Sequence, residues 1–283
     1  MVRLAALVLM LCSCGRFGFE PLARDGTDAA GGGGDPDGTV ACMWGPWSAA
    51  APVAGFEGSE WERSPEQRND GLEMLFARYE VINNVLNAQI RRATRSTPSG
   101  PYGVDTTVVE LDDPANDDLD PSLSADGLAV MLVSSRTGSN RAYEARRPNP
   151  DASFSAPALA TGLDTHMISS VSLTPDGLGL YFNEGLDLWF VRRATRAQAF
   201  GTPVDLGFTG SYPSVSADGL ELYFSRAFEV LARRRASVAD AFTDEVQVLP
   251  ASVGAGSPDI SSDGTELLLI VSDQLQRLTR SCR

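Results

Sequence analysis

The sequence predicts an all-β, five-bladed β-propeller with four-stranded blades, and three features of the chain predict it. The dipeptide Asp-Gly recurs at 70–71, 126–127, 176–177, 218–219 and 263–264, with an apolar run after each copy. Successive Asp positions lie 56, 50, 42 and 45 residues apart, a period that fits one four-stranded blade per unit. The fifth unit stops early, while the chain after residue 42 holds the aromatic and Pro-Val pieces that unit lacks. Units of this size cannot fold singly and must share one continuous core.

In chain order the first element is a leader. Arg3 precedes eight apolar residues, Leu4 to Leu11, the length of a signal-peptide core and far short of the ~20 residues that span a bilayer. The run ends Leu11-Cys12-Ser13-Cys14, which resembles the bacterial lipobox: an aliphatic residue stands three before Cys14 and a small residue just before it. The resemblance implies lipidation of Cys14, although Cys12 departs from the usual middle position; the alternative is an ordinary cleaved signal peptide. Gly15 follows the acceptor, and by similarity to Gram-negative lipoproteins this implies the outer membrane. Residues 1–13 are therefore expected to be a lipoprotein signal peptide in a cell-envelope protein. Residues 14–41 hold too few large apolar side chains to offset chain entropy, and are expected to form a flexible Gly/Asp-rich tether.

The propeller is expected over residues 42–283. In the third unit an aromatic and a Pro-Val follow the Arg cluster and make the outermost strand; in the fifth unit that piece is missing and Trp44, Trp47 and Pro52-Val53 stand ready to supply it. The N-terminal strand then closes the last blade and removes free sheet edges. This closure places Cys42 beside Cys282, and in an oxidising compartment the pair is expected to form a disulfide. Such a bridge would be worth roughly 5 kcal/mol of chain entropy.

Within each unit the Asp-Gly is a tight-turn signal, expected to place both residues at positive φ, and the strand after it is apolar on both faces. The strand before the turn reads PSLSADG from Pro121, VSLTPDG from Val171, PSVSADG from Pro213 and PDISSDG from Pro258. These phrases resemble the TolB-type β-propeller repeat, a Pro-Ser-x-Ser-x-Asp-Gly turn followed by an aromatic-rich strand. The resemblance covers roughly residues 43–283 and implies the fold, while the repeat serves many roles. The first unit departs from it, reading SPEQRNDG with Glu66 and Arg68 where the others carry Ser, Asp or Thr.

Composition narrows the function classes. A formal charge of −14 opposes binding to a phosphate backbone, so nucleic acid is not an expected partner. One histidine, His166, and no Cys/His cluster leave nothing for a zinc site or a His-based triad, and no metal or cofactor is expected. His166 precedes an inner strand and is read as a loop or tunnel-mouth residue and a possible contact. Glu66, Asp120 and Asp259 fall on inner strands and are the carboxylates a tunnel glycosidase would use. The run containing Asp112, Asp113, Asp117, Asp118 and Asp120 has oxygen ligands for calcium but not the EF-hand frame, and is read as a solvated linker.

Arginines recur at the end of each expected third strand: Arg91-Arg92, Arg146-Arg147, Arg192-Arg193, Arg233-Arg234-Arg235 and Arg277. Arg92, Arg147, Arg193, Arg234 and Arg277 are accordingly a candidate binding rim for an anionic partner, the alternative being pairing with acids of neighbouring blades. The sequence thus points to a monomeric, envelope-tethered binding or scaffolding propeller without catalysis. Its expected partner is an envelope protein or anionic glycan, and it meets the membrane only through a lipid anchor. The second reading is a carbohydrate-active propeller, either lectin-like or a hydrolase.

Overall fold

The computed structural model describes residues 43–56, 62–82 and 85–282. A short strand, β1 (Ala51–Pro52), comes first. Blade one is β2 (Glu62–Gln67), β3 (Glu73–Ile82), β4 (Val85–Thr94) and β5 (Thr106–Thr107). Blade two is β6 (Asp118–Leu123), β7 (Ala129–Ser134), β8 (Arg141–Arg146) and β9 (Ala158–Leu159). Blade three is β10 (Ile168–Leu173), β11 (Gly179–Glu184), β12 (Asp187–Arg192) and β13 (Val204–Thr209). Blade four is β14 (Ser211–Val215), β15 (Glu221–Arg226), β16 (Glu229–Arg234) and β17 (Asp244–Leu249). Blade five is β18 (Ala255–Ile260), β19 (Glu266–Val271) and β20 (Gln274–Thr279) with β1 as its outer strand, so all five sheets have four antiparallel strands.

The ring closes where the sequence places the closure. Ala51 pairs with Arg277 and Pro52 with Gln276, and an isolated bridge sets Trp44 opposite Cys282. Gly45 N–H donates to Ser281 and Ser48 N–H to Thr279, extending the pairing along the segment. Cys42, the expected partner of Cys282, lies outside the described residues, as do Cys14, the leader and the tether.

The turns differ from the expectation in one respect. Only the glycines take positive φ, between 67° and 71°, while the Asp residues do not. Asp70, Asp126, Asp176, Asp218 and Asp263 act through their side chains, each accepting from the backbone N–H two residues on. In blades two to five a Ser or Thr hydroxyl two residues before the Asp also donates to its carboxylate. Side-chain bonds of this kind fix the turn without strain at Asp.

The second strand of every blade is packed on both faces. Leu75, Phe76, Val130, Leu132, Phe182, Leu222, Phe224, Leu267 and Leu269 are fully buried. Burial on both faces explains why these runs are continuously apolar instead of alternating. Blade one is regular in topology, yet its hairpin is longer: β3 and β4 have ten residues each, whereas β7 and β8 have six.

Candidate functional site

The inner strands meet at the ring axis, and one side chain from each reaches the next blade. Glu66 Oε1 accepts from Leu123 N–H at 2.7 Å, Ser122 Oγ from Leu173 at 2.9 Å and Ser172 Oγ from Val215 at 3.2 Å. Ser214 Oγ accepts from Ile260 at 3.0 Å, and Asp259 Oδ2 accepts from Gln67 at 2.9 Å. Five side chains thus form a closed ring of inter-blade hydrogen bonds, each worth about 1 kcal/mol and each costing more if its buried donor is left alone. Three positions use Ser, and the two that flank the blade five–blade one boundary use carboxyls.

A bulge prepares this ring. Ser64, Asp120, Tyr212 and Ser257 have φ between 46° and 52°, and each immediately precedes a proline, Pro65, Pro121, Pro213 or Pro258. In blade three Val171 replaces the proline, and no left-handed residue precedes it. Proline has no N–H for the ladder and is tolerated inside a strand where a bulge interrupts pairing.

Glu66 and Asp259 are neighbours in this ring and hydrogen-bond each other through their carboxyls. Burial, then the charge of Asp259, holds the Glu66 carboxyl well above the usual range; burial pushes Asp259 up to about 7. Two contacting carboxyls in such a site share a proton. A glycosidase needs its two carboxyls about 5 Å or more apart to flank the scissile bond. The tunnel holds cavities of about 40 and 20 Å³, against roughly 300–1,000 Å³ for small-molecule pockets. The third tunnel carboxyl, Asp120, is pushed up to about 7 by burial and accepts from the Ser64 hydroxyl at the mouth lined by Tyr212 and Ser257.

His166 lies away from these carboxyls. Its Nδ1 pairs with Glu184 at 2.8 Å, and its carbonyl accepts from Arg141. Although burial raises the Glu184 carboxyl, His166 and the Met167 N–H hold it below its usual range. The acidic run is equally committed, to β4, to Arg136 beyond β7 and to its own loop. Asp112 accepts from Gln89, Asp117 from Ala88 N–H and Asp118 from Arg136, while Asp113 accepts from Ala115 N–H. Among the described residues no group of three or more His, Cys, Asp or Glu side chains is arranged to hold a metal ion.

The arginine rim is corrected by the structure. Arg147 and Arg193 are buried, with 3% and 5% exposure, whereas Arg92, Arg234 and Arg277 are more open and pair with Glu73, Glu221 and Glu266. The five therefore do not share one register. The residue that recurs at one position in every blade is Arg95, Arg147, Arg193, Arg235 or Arg280. Each donates from Nε to the carbonyl of its own turn glycine: Gly71, Gly127, Gly177, Gly219 or Gly264. Each guanidinium also stacks on an aromatic ring at 4.0–4.6 Å: Tyr102, Phe154, Phe200, Phe242, or the pair Trp44 and Trp47. In blades one to four the aromatic follows its arginine by seven residues. That spacing is the sequence signal for the correct register, and in blade five the N-terminal segment supplies the ring instead.

These arginines also knit the blades together. Arg147 reaches Glu73 of blade one with contacts of 3.1 and 2.7 Å, and Arg193 reaches Glu144 of blade two at 2.7 and 2.9 Å. Arg235 donates to Tyr181 of blade three, and Arg280 reaches Glu221 of blade four at 2.6 Å. Arg95 forms no ion pair among the described residues; it faces a groove of about 500 Å³ between blades five and one.

Comparison with known proteins finds similarity in fold only. No protein-family model and no curated protein matches the sequence. Among solved structures, TolB from Acinetobacter baumannii superposes with a TM-score of 0.52 at 15% identity, over 78% of this chain and 55% of that one. The present chain thus spans about half the length of that TolB. An α-L-arabinofuranosidase from Podospora anserina, solved with cellotriose, gives a TM-score of 0.58 at 9% identity over 85% of this chain and 97% of its own. The catalytic domain of a Coprinopsis cinerea GH62 α-L-arabinofuranosidase gives 0.58 at 11% identity with the same coverages. At such identities one propeller architecture accommodates both kinds of neighbour, and function has to be sought in the sites.

Proposed function

We propose that the chain is an envelope-tethered recognition propeller, anchored through Cys14 and stapled by a Cys42–Cys282 disulfide, that binds a protein partner and performs no chemistry in its tunnel. The observation that carries this reading is the blade-one hairpin. Four extra residues in each of its strands carry the strand ends ~13 Å beyond the six-residue hairpins, on the face opposite the Asp-Gly turns. At that tip Val81 is 71% exposed and Leu86 is 52% exposed. Apolar side chains on a projecting tip contribute nothing to the propeller core and suit burial against another protein.

The tunnel supports the non-catalytic half of the reading. Glu66 and Asp259 complete the inter-blade ring through the Leu123 and Gln67 N–H groups, and each bears on the other's ionisation. The test is cross-linking from native envelopes with the wild type, a Val81→Asp/Leu86→Asp variant and a Glu66→Gln/Asp259→Asn variant. A partner captured in defined ratio by the wild type and the tunnel variant, and lost from the tip variant, is the expected result. Undiminished capture by the tip variant overturns the docking face; glycan hydrolysis abolished in the tunnel variant would replace binding with catalysis. Fatty-acid labelling that disappears in Cys14→Ala tests the anchor, and a Cys42–Cys282 peptide under non-reducing conditions tests the staple.

A further inference from the structure

We propose that the groove between blades five and one binds a small hydroxylated monocarboxylic acid, of the sugar-acid class, whose carboxylate is taken by Arg95. This site lies on the Asp-Gly turn face and is independent of the hairpin tip. Its logic comes from the repeat itself. In three of the five junctions the stacked arginine meets a carboxylate of the preceding blade, Glu73, Glu144 or Glu221, and in a fourth it meets the Tyr181 hydroxyl. At the fifth junction the corresponding arginine is held by Gly71 O and by the face of Tyr102, with no carboxylate on its terminal nitrogens among the described residues.

The acid that could fill the place is present but turned elsewhere. Glu266 begins β19 as Glu73 begins β3 and Glu221 begins β15, yet its two oxygens take Arg277 and Gln67, both at the long distance of 3.4 Å. Between Arg95 and Glu266 lies the groove of about 500 Å³, inside the roughly 300–1,000 Å³ range of small-molecule sites. The junction between blades two and three also has a groove, of about 330 Å³, but there Glu144 already occupies the arginine. Only one of the two grooves combines ligand-sized space with an unneutralised guanidinium.

The walls select the rest of the ligand. A guanidinium fork matches one carboxylate through two parallel hydrogen bonds, as Arg147 and Arg193 do internally. Asp70, Asp263 and Glu266 line the same groove and, when ionised, can only accept. A ligand must therefore donate hydroxyls close to its carboxylate; the lining's other guanidinium, Arg277, is already paired with Glu266, so a second negative charge meets the carboxylates. A polyhydroxylated monoacid satisfies both requirements; a phosphate or a dicarboxylate does not.

The experiment is amide-resonance titration of the full chain with D-glucuronate, D-glucose and acetate as probes. D-Glucuronate should give saturable shifts at Ser262 and Thr265, with the other two probes about tenfold weaker or worse. Arg95→Gln should weaken D-glucuronate about tenfold or more, and Glu266→Gln should strengthen it a few-fold by removing a like charge. If Arg95→Gln does not fold, Glu266→Gln carries the test. The absence of saturable shifts with D-glucuronate overturns the site, as does binding indifferent to both substitutions. Equal affinity for acetate overturns the sugar-acid assignment.

Discussion

Two junctions of the ring use the same parts in opposite ways. Between blades four and five, Arg280 is buried, bonded to Gly264 O and Glu221 and packed against Trp44 and Trp47. Between blades five and one, Arg95 keeps the glycine and aromatic contacts but lacks the acid, and a groove opens beside it. The sequence departs from its own repeat at this second junction: Gln67 stands where the other inner strands have Leu123, Leu173, Val215 and Ile260, and its side chain reaches Tyr102 and Glu266. A departure from the repeat at the one junction whose stacked arginine lacks an inter-blade partner among the described residues marks a place released from packing duty and available to function.

The largest expected difference between the junctions is in stability. Arg280→Met leaves Glu221 buried with the half-exposed Arg234 as its one remaining cation, beside the Tyr223 hydroxyl, and should cost about 3–5 kcal/mol. Arg95→Met loses one hydrogen bond and one cation–π contact and should cost about 1–2 kcal/mol. Urea unfolding of the two variants checks this. Equal losses would mean that the junctions are energetically alike and that the groove is no special opening.

The next effect is a pH dependence with two limbs. Burial raises Asp120 and Asp259 to about 7 and holds Glu66 above its usual range, so the folded chain keeps protons that the unfolded chain releases near ~4. By linkage their contribution is fully present below the unfolded value and is lost as pH rises through ~4 to 7. Glu144 and Glu221 run the other way: burial raises them, but Arg193 and Arg280 outweigh it and hold both below the usual range. Their contribution is present above the unfolded value and is lost as pH falls through the depressed folded value. Thermal melts should therefore decline from about pH 5 towards pH 8, and Asp120→Asn should flatten that decline. An unchanged slope in Asp120→Asn would show that the tunnel mouth is better solvated than its geometry indicates.

The architecture was legible because its signals are local and repeated: a glycine at positive φ once per blade, a doubly buried strand after it, and aromatics at 44 and 47 that complete blade five. The arginine register was harder to read, because runs such as Arg146-Arg147 and Arg233-Arg234-Arg235 offer two or three neighbours, and the aromatic seven residues on that selects among them gains its meaning only from the stacking and turn-glycine contacts of the fold. The sequence marks the tunnel carboxyls as inner-strand acids but not their structural role. That Glu66 and Asp259 do the work Ser122, Ser172 and Ser214 do elsewhere depends on bonds between blades, and periodicity within one blade carries no trace of those.

The hydroxyl members of that ring give a smaller effect. Ser172→Ala strands the Val215 N–H in the interior and should cost about 1–3 kcal/mol by urea unfolding. Glu66→Gln keeps an acceptor for Leu123 N–H and relieves the contact with Asp259, so at pH 8 it should cost less than Ser172→Ala, or stabilise. The reverse order would mean that the carboxyl pair contributes more than ring closure and would reopen the tunnel as a site.

The smallest expected change sharpens the comparison most. Glu266→Gln should shift stability by no more than about 0.5 kcal/mol, because its two contacts are long and Arg277 is half-exposed. Glu221→Gln, at the same position of blade four, uncovers the buried Arg280 and should cost several times as much. Both glutamates open the second strand of a blade, but only Glu221 meets the stacked arginine of the next; Glu266 turns to Arg277 and Gln67. A large loss in Glu266→Gln would require Glu266 to reach Arg95 in solution, closing the groove and leaving no vacancy for a ligand carboxylate. A negligible loss means that this acid is dispensable to the fold, as a residue that shapes a binding groove can be and one that seals a blade junction cannot.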